Sequence, residues 1–189
     1  MHIKGEPMKN IALPLTKDTI KNLKAGDQVL LSGTLLTARD AAHKKMIEYI
    51  ERGEDLPFEI QGQTIYYTGP CPAKPGGVIG PAGPTTSGRM DKYTPKLLEM
   101  GLAGMIGKGN RSSEVIESII KNQGVYFGAI GGAGALISKC IISQKVIAWK
   151  ELGTEAVREI EIAEMPVIVL IDSRGDNLYK TGRENYKRV

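Results

Sequence analysis

Apolar residues recur along this chain with two periods, and the switches between them mark its elements. Val29-Leu30-Leu31 is an apolar run entered through the turn Gly26-Asp27, which predicts a strand following a short helix capped by Thr16 and running to Lys24. Ala42, Met46 and Ile50 fall four apart behind Thr37 and Asp40, whose spacing has the form of a capping box. Residues Ala38 to Arg52 therefore read as a helix with one buried face. Phe58 to Tyr67 alternates as two short strands joined at Gly62, and Met90, Tyr93, Leu97 and Leu98 share one face of a helix that Thr85-Thr86-Ser87 can cap.

Further on, a strand-turn-helix unit occurs twice. Leu102 to Ile106 is a short buried strand, Gly107 to Arg111 a polar turn, and Val115, Ile116, Ile119 and Ile120 an apolar helical stripe opposite Glu114, Glu117 and Lys121. Gly124 ends that helix; Val125 to Ile130 is the next strand, Gly131 to Gly134 the second glycine turn, and Ala135 to Lys139 a short helix. The last third holds segments at Ile141 to Trp149 and Glu159 to Ile162, then Pro166 to Ile171, apolar throughout as a central strand would be. The fold class these elements predict is α/β with a mixed sheet. With no repeat of fixed period and no clean linker, residues 1–189 form a single domain in this reading.

Composition adds shape and sign. The glycines and prolines gather between Gly69 and Gly88 and again at Gly131 to Gly134, which marks shaped loops on a scaffold rather than disorder. The formal net charge of +4 comes with acidic residues interleaved and only 5% aromatic residues, and Arg183 to Arg188 reads as a solvated tail. Nucleic acid is not the expected partner; small anions are. No apolar stretch approaches the roughly 20 residues that cross a bilayer, and no signal peptide opens the chain. Cys71 and Cys140 are the two cysteines, far apart, so a reducing, cytoplasmic setting is expected.

Four cationic side chains lie beside predicted helix starts or glycine turns: Arg39, Arg89, Lys108 and Arg111. Helix N-termini offer unpaired N–H groups, and an Arg can grip a carboxylate with two parallel hydrogen bonds, so the set suits a dicarboxylate. Singly, each is an ordinary surface cation. Gly107-Lys108-Gly109-Asn110 lacks the spacing of a P-loop, and Gly131-Gly132-Ala133-Gly134 lacks the dinucleotide fingerprint. Thr85 and Thr86 read by their own chemistry as helix caps. A threonine accepts a proton only with a neighbouring base, and Asp91 is no obvious one. His43 lies one turn beyond Arg39 and either supports it or is a satisfied core histidine. Two cysteines cannot supply three thiolates, so no metal or cluster ligand set is expected here, and Cys71 has no assigned role.

Taken in order, Thr37-Ala38-Arg39-Asp40-Ala41-Ala42-His43, Gly69-Pro70-Cys71-Pro72, Gly83-Pro84-Thr85-Thr86-Ser87-Gly88-Arg89-Met90-Asp91 and Lys108-Gly109-Asn110-Arg111-Ser112 resemble the class I, iron-sulfur fumarases and the related L-tartrate dehydratases. The likeness continues through Ala129-Ile130-Gly131-Gly132 and from Glu151-Leu152-Gly153 to Asp172; Ala133 and Gly134 depart from the usual turn.

The resemblance implies a layered, swivelling-type β/β/α domain that acts as a beta subunit. A 4Fe-4S cluster would be held by a separate alpha subunit, within a hetero-oligomer such as a dimer of heterodimers. It further implies Thr85 as the catalytic base, with Arg39, Arg89 and Lys108 binding substrate and Thr86, Arg111 and His43 as secondary candidates. The implied reaction is reversible hydration of fumarate to L-malate, with tartrate dehydration as the close alternative; the full Lys-Gly-Asn-Arg-Ser turn favours the former. A non-catalytic dicarboxylate-binding module is the reading from a different class.

Overall fold

The structure is a computed structural model that describes residues 8–129 and 134–185. Its strands are β1 (Lys9–Ala12), β2 (Gln28–Thr37), β3 (Thr64–Tyr66), β4 (Gly104–Gly107), β5 (Val125–Gly128), β6 (Ile141–Ala148) and β7 (Val157–Ile171). The helices are α1 (Lys17–Asn22), α2 (Asp40–Glu51), α3 (Thr94–Glu99), α4 (Ser113–Asn122), α5 (Gly134–Ile137) and α6 (Leu178–Asn185). No described helix is long and apolar enough to cross a membrane.

The sheet is mixed, as expected for an α/β chain, but it does not lie open. β2, β3, β4 and β5 run parallel side by side, and β7 then pairs antiparallel with both β5 and β2. The five strands thereby close into a small barrel. β1 adds to β2 in parallel, and β6 adds to β7. Closure depends on β7 being long: its fifteen residues span the whole of β2 on one edge and reach β6 and then β5 on the other. The two apolar segments read separately at Glu159 and Pro166 are one strand, bent where Glu164 adopts a positive φ of 50°.

Strand alternation sorts the core into two faces. Tyr66, Ile106, Val125 and Phe127 point into the ring with Val29, Leu31 and Leu35. Ile65, Tyr67, Met105 and Tyr126 point outward under Ala42 and Met46 of α2, Leu97 and Leu98 of α3, and Val115 and Ile119 of α4.

Several expected elements change form. Phe58 to Ile60 is loop; its apolar residues pack rather than pair, Phe58 meeting Trp149 edge-on at 5.8 Å and Ile60 being buried. The helix foreseen after Thr85 is a 3-10 turn, Ser87–Met90, followed by α3 starting at Thr94. Thr37 ends β2 instead of capping α2, and Arg39 occupies the N-cap with no side-chain hydrogen bond to offer, since a guanidinium has only donors. β1 and α6 form where the sequence reading places no element, and Ile130, Gly131, Gly132 and Ala133 lie outside the described residues.

Candidate functional site: the carboxyl edge of the parallel strands

Ligands of α/β sheets gather beyond the carboxyl ends of parallel strands, and the chain places its candidate residues there. Arg39 follows β2. Thr85-Thr86-Ser87 is laid across the ends of β3 and β4: Thr85 N–H donates to the Tyr67 carbonyl at 2.7 Å, Ser87 N–H donates to the Lys108 carbonyl at 2.9 Å, and Thr86 forms a parallel bridge with Lys108. The threonines therefore act as an extra short strand segment, and Thr86 makes no side-chain cap bond. Thr85 is half-buried, Thr86 and Lys108 are exposed, and among the described residues the Thr85 hydroxyl has no hydrogen-bond partner.

The arginines are joined through an acid. Asp40, the first residue of α2, accepts from Arg89 Nε at 2.8 Å through one carboxylate oxygen and from Arg39 Nε at 3.2 Å through the other. Burial pushes the Asp40 carboxyl up. Hydrogen bonds from its own backbone N–H and from Arg39, with the charges of Arg89 and Arg39, outweigh this and hold it below the ordinary carboxylate range. Glu155, just before β7, completes the cluster. One of its oxygens lies 3.4 Å from Arg39 Nε, and the other accepts the Ala41 N–H at 2.7 Å, capping from 114 residues away a helix whose own N-cap cannot. Arg39 lies across Gly69, where a Cβ would sit 3.0 Å from Arg39 Cδ and 3.2 Å from the Thr154 carbonyl, so a larger residue there would crowd both.

His43 lies beneath this pair, wholly buried against Tyr67 and Tyr93. Its Nδ1 is 2.9 Å from the Arg39 carbonyl and therefore carries the proton, while Nε2 has no partner among the described residues. Burial lowers its pKa to about 4; the Arg39 carbonyl bond opposes the shift, the charge of Arg111 adds to it, and Asp40 opposes it. His43 is thus a neutral support that holds the backbone of Arg39.

Arg111 is not on the exposed face. Its side chain is 0% exposed, paired with Asp91 at 2.7 Å, bonded to Thr94 Oγ1 at 2.7 Å and flanked by the rings of Tyr67 and Tyr126. Burial alone would lower the Arg111 pKa, but the surrounding charges of Tyr67, Asp91 and Tyr126 raise it. Asp91 also accepts the Ser112 N–H at 2.6 Å, so this pair anchors the start of α4 and the turn that carries Lys108. Arg111 therefore acts on the turn from below.

Three supports escaped sequence reasoning. Ser87 is fully buried and accepts the Lys108 N–H at 3.1 Å; Tyr126 Oη lies 2.9 Å from both Ser87 Oγ and the Gly109 carbonyl; and Tyr179 of α6 accepts the Gly109 N–H at 3.2 Å. Gly107 permits the first contact, since a Cβ there would lie 2.0 Å from Ser87 Oγ. Ser87 was legible within its motif but looked like a third cap. Glu155 and Tyr179 carry no local signal.

Among the described residues, no group of three or more His, Cys, Asp or Glu side chains could hold a metal ion. Cys71 is exposed, Cys140 half-buried, and both are free thiols. The residues present do not fit an iron-sulfur cluster. Cys71 instead borders a cavity of about 350 Å³ with Pro70, Lys150, Thr154 and Arg158.

The chain is similar to known proteins over most of its length. The family model described as fumarase C-terminus matches residues 3–182. The aerobic class I fumarate hydratase of Escherichia coli K12 is 37% identical over 178 residues, covering 93% of this chain and 32% of that protein. Fumarate hydratase 2 of Leishmania major is 39% identical over 165 residues, covering 86% and 29%. A protein of Methanocaldococcus jannaschii named "Putative L(+)-tartrate dehydratase subunit beta" is 37% identical over 172 residues, covering 88% of each chain. The chain thus spans about a third of the fumarate hydratases it matches and nearly the whole of the archaeal subunit. With the match running almost end to end, the chain belongs to the fumarase C-terminal family.

Proposed function

We propose that this chain is the beta part of an iron-sulfur hydro-lyase that adds water reversibly across the double bond of fumarate to give L-malate. In this reading a separate alpha subunit carries the 4Fe-4S cluster. This chain, a single swivelling-type β/β/α domain working in the cytoplasm, closes over it in a hetero-oligomer, as a dimer of heterodimers.

The observation that supports the proposal is at the carboxyl edge, where Asp40 joins Arg39 to Arg89 and the segment Thr85-Thr86 bridges to Lys108, with the Arg89 side chain 52% exposed. A dicarboxylate matches the cations, and an open face needs a second surface to exclude water from the reaction. The length match to a protein named as a beta subunit supports a separate partner.

The division of labour follows from chemistry. Arg39 and Arg89 hold carboxylates. Lys108 stabilises the negative charge that grows on the carboxylate beside the reacting carbon. Thr85, whose hydroxyl is uncommitted among the described residues, passes the carbon-bound proton to a base on the partner. Arg111 and His43 support the turn and the helix start that present these groups, and Thr86 holds the backbone register with Lys108.

L-tartrate dehydration is the second reading, favoured by the same archaeal relative. Anaerobic mixing of this chain with its cluster-reconstituted partner separates the readings. Fumarate turnover in the mixture and in neither subunit alone is the expected result. Turnover of tartrate alone moves the assignment to the sister reaction, and no turnover of either, with dicarboxylate still bound, leaves a binding module.

A further inference from the structure

We propose that Asp40 is a positioning residue that sets the orientation of the anion grip by holding both arginines through the same atom. This deepens the hydro-lyase reading and rests on it.

A guanidinium can pair with a carboxylate along its Nε–Nη edge or across its Nη–Nη end. Asp40 takes Nε from Arg39 and from Arg89, one on each of its oxygens, and Glu155 also approaches Arg39 from the Nε side. Among the described residues, the Nη atoms of neither arginine donate to a protein group. Each cation is therefore anchored at the root and open at the end, and the two ends belong to one unit because a single carboxylate ties them.

Arg89 needs the tie most. It is half-exposed, and Asp40 is its one ion-pair partner among the described residues. Freed, its long side chain would sample many rotamers, and binding would have to order it. Asp40 itself cannot drift, because it opens α2 and lies next to Arg39, whose carbonyl is held by His43 and whose helix start is held by Glu155.

The opposite outcome is physically reasonable, which makes the proposal testable. Asp40 is negative and close to an anion site, so removing its charge would by Coulomb's law tighten dicarboxylate binding. The geometry points to orientation as the stronger effect.

Asp40→Asn keeps the shape and loses the charge and one acceptor. In the assembled complex, KM for fumarate and Ki for succinate should each rise about tenfold or more, with kcat changed far less, as expected on loss of a charged hydrogen bond. Inhibition by propionate, which has one carboxylate, should hardly change, so the preference for two carboxylates collapses. A purely structural role would not move that ratio. Asp40→Glu, which restores the charge on a longer arm, should recover part of it.

Equal or lower KM and Ki in Asp40→Asn overturns the proposal. If the wild-type complex turns over neither fumarate nor tartrate, the hydro-lyase reading fails, and arginine side-chain NMR of the chain still judges Asp40. A protected Arg89 Nε–H signal in the wild type that vanishes in Asp40→Asn supports it; the same signal retained in the variant overturns it.

Discussion

The Tyr126 phenol stands 2.9 Å from the Ser87 hydroxyl beneath the turn that carries Lys108. Lys108 N–H donates to Ser87, and the Tyr126 hydroxyl lies within donating distance of both Ser87 Oγ and the Gly109 carbonyl. The chain of bonds begins and ends on neighbouring residues of one turn. Burial raises the Tyr126 pKa against the opposing Ser87 bond, so the phenol keeps its proton. Ser87→Ala should leave the Lys108 N–H without its acceptor, at a cost of about 1–3 kcal/mol. The expected result is a fall in kcat/KM of about tenfold or more with a smaller effect from Tyr126→Phe, read by steady-state kinetics of the complex; equal activity of Ser87→Ala and wild type would show that the clamp does not position Lys108.

Thr85 is testable by separating rate from binding. Thr85→Ala should lower turnover by about two orders of magnitude or more, the usual scale of a lost proton-transfer group, while KM stays within a few-fold. Thr85→Ser should retain much of the rate. Near-normal turnover in the alanine variant would exclude Thr85 from proton transfer.

Arg111 should behave as a stability residue. Arg111→Met leaves the Asp91 carboxylate without its cation and should cost about 3 kcal/mol, at the low end for a broken buried pair because Asp91 retains some exposure. Adding Asp91→Asn should restore part of that loss while keeping an acceptor for Ser112 N–H. Urea unfolding of the two variants checks it; a double variant no more stable than the single one would contradict the pairing.

His43 makes stability depend on pH. Its folded pKa is about 4 against an ordinary 6.5, so between those values the unfolded chain binds a proton that the folded chain refuses. The contribution is complete above pH 6.5 and is lost as pH falls towards 4, and over that window it amounts to about 3 kcal/mol. The groups facing the ring are Tyr67, Tyr93, Arg111, Asp40 and the Arg39 carbonyl. His43→Gln should flatten the stability profile in that window; an unchanged slope would show that another group carries it.

Local periodicity made β2, α2, β4, α4 and the apolar end of β7 legible, because each buries one face regardless of what covers it. It could not show that β7 returns to β2, since pairing across some 130 residues leaves no local trace. The same limit applies at the site. Arg39, Thr85, Arg89 and Lys108 are candidates because their motifs mark them, and the structure lays their backbones at the carboxyl ends of the parallel strands. Arg111 looked identical to them in sequence, and only Asp91 and Thr94, folded back from the preceding helix start, turn it inward. Glu155 was invisible as a cap because the N–H it accepts, that of Ala41, lies 114 residues earlier.

The long strand that closes the barrel also sets the order of events during synthesis. Residues 157–171 seal the ring, and Glu155 at their threshold fastens the start of α2. Contacts so distant in sequence form slowly and late. A ribosome-bound chain that has already exposed Arg39 and Asp40 therefore lacks the support of its second helix, whose start is fastened only after the threshold of the last strand has emerged and docked.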